Sequence, residues 1–185
     1  MLWLLRNLKL QRPRLATAIR LYFEDRDPIS VHTLVMASNE IINRICEAKG
    51  IAPMRSDLLN NIVEAKRDEI GRLINEARNF FKHAREGDPD ETLSTFSVSD
   101  IDDINLSVIN FSVIDLHALG EIIGEVRLFD AWISVVHPEL IDLSPPKDYA
   151  KDFGDIADKP LAIQKKAALK VLRRVDSGIP PPARY

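Results

Sequence analysis

Between Asp27 and Gly50 the sequence carries both ends and one buried side of a single helix, and no other stretch restricts the fold as much. Asp27 suits an N-cap. Pro28 suits the first helical position, where its missing N–H leaves no hydrogen bond unmade. Gly50 can close the helix in a left-handed conformation. Inside, Val31, Leu34, Val35, Ser38, Ile41, Ile42 and Ile45 recur at three- and four-residue spacing, the stripe of a helix buried along one side. His32, Asn39 and Asn43 fall off that stripe. On this pattern His32 is a solvated side chain of the first turn.

The same punctuation divides the rest of the chain. Leu15, Ile19 and Tyr22 mark a first helix over Pro13–Phe23. Ser56 or Asp57 can cap a third helix reaching about Arg85, where Gly87 and Asp88-Pro89 stop it. Thr92–Val98 is read as a loop, since a lone strand would have no partner. Ser99 with Asp102 resembles a capping box and opens a fourth helix to about Leu119. Gly120 and Gly124 precede a fifth, which ends at Val136 before His137-Pro138. Pro145, Pro146, Gly154 and Pro160 make residues 143–160 a connector. A basic helix over Leu161–Val175 follows, then a flexible tail through Pro180-Pro181-Pro182. The expected architecture is all-α: an up-and-down bundle of about five helices within residues 1–142, with an extra C-terminal helix in 161–185.

A composition 45% hydrophobic and 29% charged has enough apolar surface for a core and excludes a disordered chain. Arg6 and Lys9 interrupt the apolar start, and no run reaches the roughly 18 apolar residues of a membrane span. The single cysteine, Cys46, has no intramolecular partner. It reads as a buried small hydrophobe in a reducing, cytoplasmic setting. Charge is uneven: residues 1–20 and 159–176 each carry +5, leaving −14 for 21–158 once Arg184 is counted. Either the basic ends pack on the acidic middle or a second subunit, or they hold an acidic partner such as RNA.

Phosphate loops, dinucleotide fingerprints, paired metal-ligand motifs and nucleophile elbows are absent from the sequence. No metal or cofactor is expected. Asp115 and His117 stand two apart on a helix and cannot face one another. Trp132 and Trp3 read as core or interface anchors.

One segment, Arg78-Asn79-Phe80-Phe81-Lys82-His83, carries a candidate chemistry. Arginine, a polar residue, and histidine five positions after the arginine resemble the motif of the HEPN superfamily. Its members are small helical bundles, commonly dimeric, and many are metal-independent ribonucleases. The resemblance implies that His83 acts as acid or base on an RNA hydroxyl, Arg78 stabilises phosphate charge and Asn79 positions it. Asn79 and His83 share a helix face. Arg78 and His83 point about 140° apart on a regular helix, so Arg78 has to reach around. The alternative is that Lys82, His83 and Arg85 are helix-terminal cations favoured by the dipole before Gly87.

A broader resemblance spans about residues 15–140. The block Asn79–Ala84, followed by Asp88-Pro89-Asp90, and the earlier Asp27–Leu34 are similar to a family of uncharacterised helical bacterial proteins. That likeness makes His32, Asn79, Lys82 and His83 candidates for a polar pocket. Two functions follow as expectations: a HEPN-like endoribonuclease or RNA-binding relative, and a non-catalytic helical module binding a protein partner or small ligand. A homodimer is expected in both.

Overall fold

The fold is described from a computed structural model, over residues 2–61, 98–121, 124–138 and 151–178. These residues form α1 (Leu2–Phe23), α2 (Pro28–Ala48), α3 (Met54–Asn61), α4 (Val98–Ala118), α5 (Gly124–Val136) and α6 (Leu161–Asp176), with no strand among them. It is an all-α bundle.

The second helix forms as its ends dictate. Asp27 accepts hydrogen bonds from the Ile29 and Ser30 backbone N–H groups. At the other end Gly50, at φ +73°, lets Gly50 and Ile51 N–H return to the carbonyls of Glu47 and Cys46. α1 departs from expectation by starting eleven residues before Pro13, which lies inside it. An internal proline removes one backbone bond and costs about 3 kcal/mol, but does not forbid a helix. α4 starts at Val98, so Ser99 lies inside the helix instead of capping it. Asp102 accepts a hydrogen bond from Lys165 Nζ at 2.8 Å.

α2 packs against α1 on one side and α4 on another, and α1 also meets α5 and α6. Between α1 and α5 lies an aromatic cluster. The Phe23 ring sits 5.2 Å from Trp132, edge-on, and 6.0 Å from Phe129, while Tyr22 stands 6.1 Å from Trp132. Trp132 donates its indole N–H to the Gln164 carbonyl, which ties α6 to this core.

α6 is docked through charge as well. Lys165 is only 2% exposed. Its ammonium bonds Asp25 at 2.9 Å and Asp102 at 2.8 Å and lies 4.3 Å from the centre of the Tyr22 ring. Asp25 holds a left-handed backbone, φ 54°, in the turn between α1 and α2. Arg20 on α1 is bonded to Glu125 on α5 and Asp176 on α6. Ahead of α6, Phe153 and Ile156 are buried in the core, so this part of the expected connector is anchored.

Candidate functional site: a polar seam beneath an open cleft

The α2–α4 interface is built partly from polar side chains. His32, Asn39 and Asn43 on α2, spaced seven and four, face Asn105, Ser112 and Asp115 on α4, spaced seven and three. His32 is 1% exposed, which corrects the expectation of a solvated first-turn residue. The physical reason is that α2 is covered on two sides. Its second covered side is matched by hydrogen bonds and not by apolar spacing.

Hydrogen-bond roles along the seam follow from its fixed partners. Asn105 donates its amide to the Pro28 carbonyl at 2.9 Å, which turns its oxygen toward His32 Nδ1, also at 2.9 Å. Nδ1 therefore carries a proton. Further along, Asn39 donates to Ser112 Oγ at 3.0 Å, and that hydroxyl donates to the Val108 carbonyl at 2.8 Å.

At its far end the seam reaches a carboxylate. Asp115 is 1% exposed and accepts the Met54 backbone N–H at 2.8 Å, capping α3 from another helix. Burial pushes its pKa up to about 6, against the opposing effect of the Met54 hydrogen bond. Burial also raises the neighbouring Cys46 thiol to about 12, with Asp115 adding to the effect, so this cysteine is an inert core group.

Asn43 meets this carboxyl with its amide nitrogen turned inward, donating to Asp115 Oδ2 at 2.9 Å and to the Asn39 carbonyl at 3.1 Å.

Above Asn39 and Asn43 the surface opens into a cleft of about 210 Å³. Met36, Asn39, Glu40, Asn43, Arg44 and Glu47 of α2 and Arg55 of α3 line it. Glu40 and Arg44 pair across one turn at 2.9 Å. The floor is two amides connected to a buried carboxyl, and the walls carry both signs of charge. Such a site can exchange hydrogen bonds with a small polar solute and hold charged groups at its rim.

Of the five residues singled out from sequence, the structure places His32, in the core beside Asn105. Arg78, Asn79, Lys82 and His83 lie outside the described residues. His117 faces Asp130 at 3.8 Å, away from the seam. The sequence reading missed Asn39, Asn43, Asn105, Ser112 and Asp115 as a group. Matched spacing of polar residues on two helices was the available signal. Among the described residues no three His, Cys, Asp or Glu side chains gather as a metal ion would need, and no helix is long and apolar enough to cross a membrane. Compared with protein-family models, curated proteins and solved structures, the chain matches none.

Proposed function

We propose that this chain is a non-catalytic helical binding module that takes a small polar ligand in the cleft of α2 and α3. The observation that carries the reading is the placement of Asn39, Asn43 and Asp115. Asn39 and Asp115 are buried and Asn43 is half-buried in a helix interface, and Asn39 and Asn43 line an opening to the surface. Polar groups in a core add little net stability even when bonded, so their concentration under a cleft favours a binding role. His32 acts from within, fixing Asn105 and the alignment of α2 on α4. Within this proposal the protein is a homodimer in the cytoplasm, a reducing compartment suiting the lone thiol of Cys46.

The test is thermal unfolding against a panel of nucleosides, nucleotides and amino acids. A compound that raises the wild-type melting temperature should leave Asn43→Leu unmoved. A panel that moves neither protein removes the reading.

A second reading keeps the HEPN-like resemblance: metal-independent RNA cleavage by His83, with Arg78 and Asn79 on the phosphate and Lys82 beside them. The arginine–histidine spacing and the all-α bundle favour it. It requires cleavage of RNA in EDTA and loss of that cleavage in His83→Ala. Full activity in the variant ends it.

A further inference from the structure

Apart from Arg14, which donates to Gln11, the basic residues within 10–20 and 159–176 fall into two sets. Arg12, Arg20, Lys165 and Arg174 are paired with Glu121, with Glu125 and Asp176, with Asp25 and Asp102, and with Asp152. They account for part of the basic excess as internal fastening. Lys159, Lys166, Lys170 and Arg173 are exposed and have no ion pair among the described residues.

The unpaired set is ordered. Lys166, Lys170 and Arg173 recur once per turn on one face of α6, about 5.4 Å apart along its axis. Lys159 stands just before the helix. The opposite face, with Ala168, Val171 and Leu172, is buried. The helix therefore has no free apolar face to insert into a lipid surface, which a membrane-binding amphipathic helix requires. What it offers outward is a row of cations on a rigid, anchored element, with the half-exposed Ile163 in the same row. A row of this kind tracks a flexible chain of regularly spaced anions.

We propose that the outer face of α6 is an interaction surface for the phosphodiester backbone of a single-stranded nucleic acid, contacted by Lys166, Lys170 and Arg173. The surface is separate from the cleft of α2 and α3 and needs no catalytic group. Its success or failure is therefore independent of the ligand-binding proposal, and binding without cleavage supports it as fully as binding with cleavage. Three phosphate contacts to a single strand give a log–log salt slope of about −2, so affinity should fall roughly 20-fold between 50 and 200 mM salt.

The experiment is fluorescence anisotropy of the full chain with labelled 20-nucleotide oligo(U) and oligo(dT), in EDTA. The variants are Lys166→Gln/Lys170→Gln/Arg173→Gln and, as an equal loss of charge elsewhere, Arg14→Gln/Arg26→Gln/Lys49→Gln. The proposal expects wild-type binding with the stated salt slope. It also expects a loss of more than tenfold in the first variant, with its melting temperature unchanged, and little change in the second. Tighter binding of oligo(U) assigns the surface to RNA, and equal binding assigns it to single strands of either sugar. Absence of binding at 50 mM salt overturns the proposal, as does an equal loss in both variants. Binding only to phosphatidylserine vesicles, abolished by the first variant, overturns it in favour of a membrane surface.

Discussion

Two helix interfaces of this molecule are closed by opposite means. Between α1 and α5, Tyr22, Phe23, Phe129 and Trp132 close on one another as rings. Between α2 and α4, His32, Asn39 and Asn43 meet Asn105, Ser112 and Asp115 through hydrogen bonds. The first arrangement draws its stability from apolar area and shape. The second gains little net stability, because each bond replaces one to water, but it is severely penalised when one partner is lost. The aromatic region therefore holds the fold, while the polar seam sets alignment and supplies chemistry to the cleft above it.

Substitutions can break or sharpen this contrast. Trp132→Ala should have the largest effect, about 3–5 kcal/mol of unfolding free energy by urea denaturation, because it opens a cavity at the junction of α1, α5 and α6. A loss below about 1 kcal/mol would remove the aromatic region from its leading place. His32→Leu should cost about 1–3 kcal/mol by leaving Asn105 Oδ1 without its donor. Adding Asn105→Leu should recover part of that loss in the same assay, since both polar partners are then gone. A double variant as unstable as the sum of its singles would mean the two residues act independently.

The seam also predicts a pH dependence that the aromatic region lacks. Asp115 has a folded pKa raised to about 6, above its ordinary carboxylate value. The native state then binds the proton more tightly than the unfolded chain. Its favourable contribution is greatest at acid pH and is lost as pH rises through about 6. Asp115→Asn keeps an acceptor for Met54 but cannot ionise. The variant should gain on wild type between pH 4.5 and 7.5, by on the order of 2 kcal/mol. A pH-independent difference in melting temperature would place the Asp115 pKa in the ordinary range. The smallest effect is expected at Tyr22, whose buried hydroxyl has no hydrogen-bond partner among the described residues. Tyr22→Phe should be neutral or stabilise by up to about 1 kcal/mol, keeping the ring under Lys165.

The helices were legible where their signals are local. Asp27, Pro28 and Gly50 bound α2 in the sequence as they do in the fold, and Gly124 and His137-Pro138 bracket α5 in both. The extension of α1 through Pro13 was hidden because proline at a helix start and proline inside a helix look alike in sequence. The seam was hidden for a different reason. Apolar periodicity reports only apolar faces, so the second covered side of α2 looked like a solvated one. That His32 meets Asn105, 73 residues away, depends on tertiary pairing and leaves no mark on the local pattern. Lys165 is similar: one lysine in a basic helix was bound for the core, and only the positions of Asp25 and Asp102 distinguish it from Lys166.

The claim at the centre is that the α2–α4 seam is polar for the sake of the cleft and not for stability. Urea denaturation of Asn39→Leu/Ser112→Ala at pH 7.5 tests it most directly, because these two mutually bonded groups leave together while Asn43 stays to serve Asp115. The account predicts an unfolding midpoint equal to or above that of wild type. A fall of more than about 2 kcal/mol in unfolding free energy would contradict it, making the seam a structural fastening like the aromatic cluster beside it.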